Sequence, residues 1–509
     1  MKKTFLIFIT ILFKQLLFGQ GGFSKNYFLP NSVVSVCTDV IEGPNGNIIM
    51  AGLTFDGPTG SNRLTIIGTD ANGTELWQKN YGSDKFEYLD NFLSTRSIVK
   101  GNNCFYFYSC VRDSNNKYPS AFIKFDYNGD TLWQKTYYDA NDYLFIQGIA
   151  KSVDNGFLIT GFFADPVNPI QTTMIIKTDS MGNELWRKKI SKSIPNIQVG
   201  DNVIQDSTTK KIIIAGYQSN GTASAYTDYA NIVVTDSLGT VLQRKVFSGA
   251  CSSRFLDIIQ TKDKKCIAVG QNNQCNGLGG PNGTARNKAY AVKFDLNNLN
   301  NVLWTKEFDT LSVYNFFSTI TELGNGDLIL AGTLDTLKNY FVSEKGMLRL
   351  IKLDQNGNLK WKKLFSRDSS EKNGKRPRSL NITQNGSYVI ANELYFATNP
   401  RPYSITKIDS TGCDSTVAYC QTVGFEELKI NNYKLNIYPN PTRDILNIEL
   451  DDLFAIETAT IKITDLLGQK VLDLEGSRQI NIKELPKGIY FLQLYNKQKL
   501  VAVEKILKE

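Results

Sequence analysis

The sequence predicts an all-β protein, in which a seven-bladed β-propeller is followed by a small Ig-like β-sandwich. Two observations lead to this prediction. Two short motifs recur at a nearly fixed spacing through residues 22–422, and residues 435–509 alternate apolar and polar side chains in short blocks. The composition, with 41% hydrophobic and 21% charged residues, is ordinary for a globular protein.

The first motif is an Asp-x-x-Gly turn followed by a tryptophan. Its seven aspartates are Asp70, Asp126, Asp179, Asp236, Asp295, Asp354 and Asp409, with spacings of 56, 53, 57, 59, 59 and 55 residues. All five tryptophans of the chain take one position after this turn: Trp77, Trp133, Trp186, Trp304 and Trp361. The fourth copy has Gln243 there, and the seventh departs from the motif after Gly412. Such a period indicates a repeat architecture.

The second motif lies upstream in each repeat and joins an Asn-Gly pair to an apolar run that ends in Ala-Gly. Residues 45–52 and 325–332 are clear copies. Asn-Gly between apolar runs is typical of a tight hairpin, because both residues reach positive φ easily. Each repeat therefore predicts four strands, and seven such repeats predict seven blades that bury their faces against one another.

The last repeat lacks its outer strand, and two segments compete to supply it. Residues 23–27 (FSKNY) are similar to the outer-strand sequence 77–81 (WQKNY), whereas residues 416–422 directly follow the seventh turn. We favour closure of the ring by the N-terminal segment.

The repeated aspartates and tryptophans are interpreted as structural. An Asp-x-x-Gly turn lets the carboxylate accept backbone N–H groups, and one carboxylate falls short of the six to eight oxygens that calcium takes. A tryptophan at each blade edge is expected to pack between neighbours rather than stack on a carbohydrate. The Gly-to-Trp spacing resembles the tryptophan-docking repeat of quinoprotein-type propellers. This resemblance implies blade architecture only, since the chain has no pair of adjacent cysteines.

The N-terminus is typical of a secretory signal. Two lysines, Lys2 and Lys3, precede the apolar stretch 4–13, which is too short to span a membrane. We expect residues 1–19 to be removed, so that the mature chain starts near Gln20. The resulting division is a signal peptide (1–19), a propeller (22–422), a linker (423–434) and a C-terminal domain (435–509).

The C-terminal domain contains four short motifs in order. They are residues 438–441 (YPNP), 465–471 (DLLGQKV), 485–490 (LPKGIY) and the basic tail 504–508 (EKILK). Together they resemble the type A C-terminal sorting domain of the Bacteroidota type IX secretion system. The resemblance implies export by that machinery, followed by release or attachment at the cell surface. The matching sorting-motif residues are Pro439, Pro441, Gly468, Gly488, Lys505 and Lys508.

Composition excludes several kinds of chemistry. The chain has no histidine, which removes Ser-His-Asp and Cys-His nucleophiles and all His-ligated metal sites. The net charge of +8 is a mild excess for 509 residues and gives no reason to expect nucleic acid. We predict no metal, no cofactor, no catalytic residue and no nucleic-acid partner. No other stretch is long and apolar enough to span a bilayer, so we also predict no transmembrane segment.

Variable loops are expected on one face of the propeller only. The Asn-Gly and Asp-x-x-Gly turns share the other face, and the variable segments are 55–63, 113–120, 164–171, 218–229, 271–288, 334–346 and 393–401. Variation on a rigid scaffold is where binding usually occurs. Near these loops, eight residues are expected to approach the central channel as a ligand site: Tyr88, Asp90, Tyr143, Arg254, Asp257, Tyr314, Arg376 and Arg378.

Eight cysteines in an exported chain suggest disulfides. The candidate pairs are Cys413 with Cys420 and Cys251 with Cys275. The other four fall in strand-like stretches and are expected to be buried thiols: Cys37, Cys104, Cys110 and Cys266.

Three functions remain open from the sequence. The leading hypothesis is an exported, non-catalytic module that binds an extracellular polysaccharide or protein on its variable-loop face. A hydrolase or lyase with channel carboxylates is the first alternative, because glycoside hydrolysis needs no histidine. The second alternative is a structural scaffold or adhesin without a pocket.

Overall fold

The repeats of the sequence become groups of antiparallel strands, four in each except the second, whose inner strand is split in two. In a computed structural model, the described residues are 22–412 and 435–509, except 84–85, 90–95, 168–169, 191–196, 221–226, 248–251, 275–285, 313–314, 340–341, 366–373, 396–398, 450–458, 466–468 and 497–498. The chain divides into two compact units, Met1–Thr422 and Val423–Glu509.

The first unit starts with β1 (Phe23–Tyr27), and each group of strands after it is called a blade. Blade 1 contains β2 (Ser32–Glu42), β3 (Ile48–Asp56), β4 (Ser61–Thr69) and β5 (Glu75–Tyr81). Blade 2 contains β6 (Phe86–Leu89), β7 (Ile98–Lys100), β8 (Phe105–Asp113), β9 (Ser120–Phe125) and β10 (Thr131–Tyr137). Blade 3 contains β11 (Tyr143–Lys151), β12 (Phe157–Ala164), β13 (Gln171–Thr178) and β14 (Glu184–Ile190).

The later blades repeat this order. Blade 4 contains β15 (Ile197–Gln205), β16 (Ile212–Asn220), β17 (Thr227–Thr235) and β18 (Val241–Phe247). Blade 5 contains β19 (Ser253–Gln260), β20 (Cys266–Gln274), β21 (Arg286–Asp295) and β22 (Asn298–Ser312). Blade 6 contains β23 (Asn315–Glu322), β24 (Leu328–Asn339), β25 (Val342–Leu353) and β26 (Leu359–Phe365). Blade 7 contains β27 (Gly374–Ile382), β28 (Tyr388–Tyr395) and β29 (Tyr403–Ile408).

The N-terminal strand completes blade 7. Strand β1 pairs antiparallel with β29, from Phe23 opposite Lys407 to Tyr27 opposite Tyr403. The closure that we favoured from the sequence is therefore confirmed. It fastens the first and last repeats together through backbone hydrogen bonds.

The core of this unit consists of separate apolar clusters between consecutive blades. One cluster joins blade 1 to blade 2, for example Ile66 with Phe105, and others follow in turn around the ring. The cluster that contains Met50 and Ile405 joins blade 7 back to blade 1. Counted over the described residues, there are seven junctions, and their circular order is that of a closed β-propeller.

The tryptophans lie at these junctions. Each ring covers the turn glycine of the next blade, so that a Cβ added to Gly182 would lie 2.7 Å from Cη2 of Trp133. The pairs are Trp77 with Gly129, Trp133 with Gly182, Trp186 with Gly239, Trp304 with Gly357, and Trp361 with Gly412. At the closing junction Phe23 of β1 covers Gly73, and the Tyr27 hydroxyl donates to the Gly73 carbonyl at 2.8 Å.

One junction replaces both partners. Blade 4 has Gln243 in place of the tryptophan, and the facing turn of blade 5 has Asn298 in place of the glycine. The Gln243 side chain donates to the Asn297 carbonyl (3.1 Å) and accepts from the Leu299 N–H (3.2 Å). The tryptophan and the glycine are thus lost together, because an uncovered turn no longer needs room for a ring.

The second unit is a sandwich of two sheets. One sheet contains β30 (Asn436–Tyr438), β31 (Ile445–Glu449) and β34 (Gln479–Asn481). The other contains β32 (Ala459–Thr464), β33 (Lys470–Glu475), β35 (Gly488–Asn496) and β36 (Lys499–Lys508). Leu446 from the first sheet and Leu492 from the second belong to one buried cluster, so the sheets share a core.

Candidate functional site

A cavity lies among the inner strands of the propeller, close to the end of the blades that carries the variable loops. We call this the loop end, and the opposite end, with the Asn-Gly and Asp-x-x-Gly turns, the turn end. The cavity has a volume of about 710 Å³. Six blades line it: Val34, Val36, Leu53, Phe55 and Asn62 (blade 1), Leu89 (blade 2), Phe145, Gln147, Phe162 and Gln171 (blade 3), Val199 and Tyr217 (blade 4), Arg254 (blade 5), Glu393 and Arg401 (blade 7). Residues from so many blades converge only near the axis, so we call it the axial cavity.

Its walls are mainly apolar. Phe145 and Phe162 stack with ring centroids 5.0 Å apart. On blades 4 and 5 the Arg254 guanidinium lies over the Tyr217 ring, 4.2 Å from its centroid. A mostly apolar pocket of this size with a few polar groups is typical of ligand sites.

Arg254 is held in place by a buried carboxylate. Its guanidinium binds both oxygens of Asp201, with Nε at 2.8 Å from Oδ2. Burial raises the pKa of Asp201, and the Arg254 charge opposes that shift. Burial likewise raises the pKa of the nearby Asp228, again against Arg254. One cation therefore serves two carboxylates at this wall.

On the blade 7 side, one carboxylate forms ion pairs with two arginines. Glu393 Oε2 lies 3.0 Å from Nη2 of Arg378 and 3.5 Å from Nη1 of Arg376. Arg376 also lies over the Phe316 ring of blade 6, 5.4 Å from its centroid. The carboxylate that lines the cavity is thus engaged in ion pairs.

Below the cavity, Asp257 is fully buried and its carboxylate is saturated with donors. Asp257 accepts from the Asn202 amide (2.7 Å), the Thr319 hydroxyl (2.8 Å) and the backbone N–H of Ile258 (2.8 Å) and Ile320 (3.0 Å). Its position makes it a link between blades 4, 5 and 6.

Arg96 crosses the channel to reach the same carboxylate. Its Nη2 lies 2.9 Å from Asp257 Oδ2 and 2.6 Å from the Ile320 carbonyl. Arg96 belongs to blade 2, so this side chain joins blade 2 to blades 5 and 6 on the far side of the ring. The inner strand of blade 2 has eight residues between the paired Leu89 and Ile98, whereas its partner strand has two between the matching positions.

The other inner strands carry a bulge at the same level. The extra residues are Thr38, Gln147, Asp201, Leu256, Ser318 and Arg378. The residue after the bulge often bonds to the next blade, as when Asp39 accepts from the Ile98 N–H at 2.7 Å. Burial raises the pKa of Asp39 to about 6. We call this ring of polar contacts the belt. Bulges turn side chains toward the axis, which is how Asp201 and Arg378 reach their partners.

The structure separates the residues that the sequence proposed as one site. Arg254 lines the axial cavity, and Arg376 and Arg378 bind its Glu393, whereas Asp257 lies deeper in the belt. Tyr88 does not reach the cavity, because it is 2% exposed and packs in the junction of blades 1 and 2.

Three other proposed residues have different outcomes. Tyr143 lines a smaller pocket to the side of the cavity. Asp90 and Tyr314 lie outside the described residues.

Sequence reasoning missed several residues of the site. Asp201 stands on an inner strand that reads as ordinary blade sequence, and Glu393 and Arg401 fall in the variable segment 393–401 but were not singled out. Phe145 and Phe162 follow the apolar alternation of core strands, and nothing in that pattern indicates which rings face a cavity. For Asp201 the bulge is the missing signal, since a single extra residue changes the direction in which a side chain points.

Cysteine and metal chemistry can be stated for the described part of the chain. Cys37, Cys104, Cys110 and Cys266 are buried free thiols there, as predicted. The two proposed disulfide pairs lie outside the described residues. In the described ranges, no group of three or more acidic or cysteine side chains is placed to hold a metal ion, and no helix is long and apolar enough to cross a membrane.

In the second unit, two of the recognised sequence motifs are in direct contact. The Asn440 side chain accepts from the Leu507 N–H (2.8 Å) and donates to the Lys505 carbonyl (2.5 Å). The Thr442 N–H donates to the Leu507 carbonyl at 2.9 Å. Pro439, Pro441 and Lys505 are exposed, Lys508 is buried and Gly488 is half-buried, while Gly468 lies outside the described residues.

Comparison with known proteins identifies this second unit. Residues 436–509 match the family model of the secretion system C-terminal sorting domain. No curated protein matches the chain. The C-terminal sorting domain directs the protein to the cell surface or to secretion.

Solved structures of β-propellers are similar to the chain at low identity. The β-propeller domain of the Trilobed protease from Pyrococcus furiosus has 11% identity and a TM-score of 0.39, over 74% of this chain and 95% of that one. A Mycobacterium tuberculosis puromycin-hydrolyzing peptidase has 10% identity and a TM-score of 0.44, over 83% and 60%. The Pyrococcus horikoshii acylaminoacyl peptidase has 10% identity and a TM-score of 0.41, over 90% and 57%.

Proposed function

We propose that this exported protein is a non-catalytic binding module that takes its extracellular ligand into the axial cavity. The observation that carries the proposal is a cavity of about 710 Å³ lined by six blades, with apolar walls and few polar groups. In this proposal, residues 1–19 are a signal peptide, 22–422 the binding propeller, 423–434 a linker and 435–509 the sorting domain engaged by the type IX machinery.

Charge pairing around the cavity supports binding over hydrolysis. A glycosidase needs two carboxyl groups facing the scissile bond, one of them a proton donor. Asp201 is bound by Arg254, Glu393 by Arg376 and Arg378, and Asp257 by Arg96 and other donors. Carboxylates engaged in this way are suited to positioning arginines around the cavity.

The proposal is tested by a substitution that fills part of the axial cavity. Val34 lines the cavity and is half-buried, so the indole ring of Val34→Trp enters it. Leu238→Trp adds the same ring at the turn end, where Leu238 is 64% exposed, and serves as the matched control. The mature chain and both variants are assayed by calorimetry against linear neutral oligosaccharides and against peptides selected from a random display library.

We expect wild type and Leu238→Trp to bind the same probe, and Val34→Trp to bind it at least tenfold more weakly with an unchanged fold by circular dichroism. Equal binding by a folded Val34→Trp protein would exclude the axial cavity as the site. Release of reducing ends or new peptide termini by the wild type would overturn the non-catalytic proposal in favour of the hydrolase.

A further inference from the structure

A second pocket lies beside the axial cavity at the loop end. It has a volume of about 290 Å³ and lies between the 113–119 loop of blade 2 and the crossing into blade 3. Tyr118, Tyr138 and Tyr143 line it together with Asn115, Asn116 and Asn141. We call it the side pocket.

A row of aromatic rings connects the two pockets. Tyr143 contacts Tyr118 with ring centroids 4.7 Å apart, and Tyr118 lies 5.9 Å from Phe145. Phe145 in turn stacks on Phe162 at 5.0 Å. Tyr143 and Tyr118 line the side pocket, whereas Phe145 and Phe162 line the axial cavity. The row therefore runs without interruption from one pocket to the other.

The four rings of this row are all half-buried. Nearby rings that serve the core differ, since Phe122 and Phe157 of the same two blades are 0% and 1% exposed. Core packing alone would bury the row in the same way. Each of its rings instead keeps part of its surface accessible on the loop end.

We propose that this aromatic row is a binding track for a neutral, linear polysaccharide, which enters the side pocket and extends into the axial cavity. The proposal rests on the proposed function and names its ligand class. Aromatic faces carry partial negative charge and attract the C–H-rich faces of sugar rings, while amide side chains bond to hydroxyl groups.

Paired charges favour a neutral ligand. Both carboxylates of the side pocket have a cation partner outside it: Asp139 lies 3.4 Å from Arg187, and Asp142 is bound by Lys189. Among the described residues that line the pocket, Lys117 is the only cation, so a strongly anionic polysaccharide would meet at most one matching charge there. The asparagines and tyrosines of the side pocket supply the remaining polar groups that contact the ligand.

The track is held rigidly before any ligand binds. Asp113 accepts from the N–H groups of Asn115 (2.9 Å) and Lys117 (3.0 Å), which fixes the loop conformation. The Tyr118 carbonyl accepts from the Leu144 N–H of the inner strand of blade 3 at 3.0 Å. Preorganised rings lose little conformational entropy on binding.

The test uses the mature full chain and calorimetric titration with cellohexaose, laminarihexaose, mannohexaose and maltohexaose, each compared with its disaccharide. We expect one hexasaccharide to bind at least tenfold more tightly than its disaccharide, because only the longer chain spans the row. Tyr118→Ala should weaken this binding about tenfold or more and remove the length dependence. Tyr118→Phe, which keeps the ring, should retain both.

Phe28→Ala provides the control for loss of an exposed ring, since Phe28 is 65% exposed and lines neither pocket. Failure of all four hexasaccharides to bind, while a display-selected peptide binds in a manner that Val34→Trp abolishes, would overturn the polysaccharide track and leave the axial binding site standing. Hexasaccharide binding that is unchanged in a folded Tyr118→Ala protein would also overturn the track. If hexasaccharide binding is also unchanged in Val34→Trp, the axial cavity is excluded as the binding site too.

Discussion

The turn end and the loop end of the propeller are built on opposite principles. At the turn end the same contact recurs at five of the seven junctions, with a tryptophan over the glycine of the next turn. At the loop end each blade contributes different residues, and the larger cavity forms there: about 710 Å³, against about 250 Å³ for a cavity at the turns of blades 5 and 6. Repetition thus stabilises the ring, and irregularity creates room for a ligand.

The belt lies between the two ends and shares features of both. Its bulges recur in most inner strands, yet the residues at them differ from blade to blade, from Thr38 to Arg378. Blade 2 departs furthest, since its inner strand is split and its Arg96 crosses the channel. Variation therefore begins at the axis and increases toward the loops.

The largest effect is expected when the repeated contact of the turn end is removed. Trp133→Ala removes a ring that packs on Gly182 and on the core between blades 2 and 3, so we expect a loss of about 3 kcal/mol in the free energy of unfolding. Leu132→Ala is the matched control, because the adjacent Leu132 is 53% exposed and should change stability by less than about 0.5 kcal/mol. Urea titration measures both. Similar losses for the two variants would refute the structural role of the tryptophan.

The second prediction is that carboxylates of the belt and of the turns change the free energy of unfolding in opposite directions as the pH rises. Burial raises the pKa of Asp39 to about 6 from its ordinary 3.8, so the folded state holds this proton more tightly than the unfolded state. Its contribution is complete below about pH 4 and is lost as pH rises through about 6, a change of about 3 kcal/mol at most. The stability of wild type relative to Asp39→Asn should therefore fall between pH 4 and pH 6.

A turn aspartate should show the opposite dependence of stability on pH. The backbone N–H of Thr74 lowers the pKa of Asp70, so its contribution is present above the ordinary pKa and is lost as pH falls. Wild type relative to Asp70→Asn should therefore gain stability as pH rises through the acid range. Thermal unfolding over one pH range compares wild type with Asp39→Asn and with Asp70→Asn. If the stability difference changed with pH in the same direction for both, the expected difference between belt and turn would be contradicted.

The smallest expected effect concerns the turn glycines and tests how closely a tryptophan ring packs on them. Gly182 and Gly60 both have positive φ, at 74° and 66°, so alanine costs about 1 kcal/mol of backbone strain at either position. A Cβ at Gly182 also meets the Trp133 ring at 2.7 Å, whereas nothing lies within 4 Å of a Cβ at Gly60. Gly182→Ala should therefore lose about 1 kcal/mol more than Gly60→Ala in urea titration. Equal losses would mean that the ring moves aside freely.

Much of the fold was accessible from the sequence because its signals are local. Each Asp-x-x-Gly turn forms within a few residues, as in Asp70, which accepts the N–H groups of Asn72 and Thr74. The similarity of residues 23–27 to 77–81 was enough to predict closure by β1, and the four C-terminal motifs were enough to identify the sorting domain.

The candidate site was less accessible because its residues come from different repeats. Arg254 was predicted to be near the channel and lines the axial cavity, but Tyr88 was predicted there and is buried in a junction. Tyr88 and the cavity-lining Leu89 are neighbours on one strand, so their side chains point to opposite faces. The sequence carries no separate mark of which face of an inner strand meets the axis, because apolar residues occupy both faces.

The sequence by itself therefore determined the repeat, its four strands, the closing segment and the export domain, since each depends on residues that are close together in the chain. Only the tertiary structure decided that Arg96 crosses to Asp257 and that a row of rings joins two pockets. Those contacts join residues from separate strands and blades, up to 161 positions apart for Arg96 and Asp257. The Arg96–Asp257 contact forms only once the blades have closed into a ring, and the row of rings forms once blades 2 and 3 pack together.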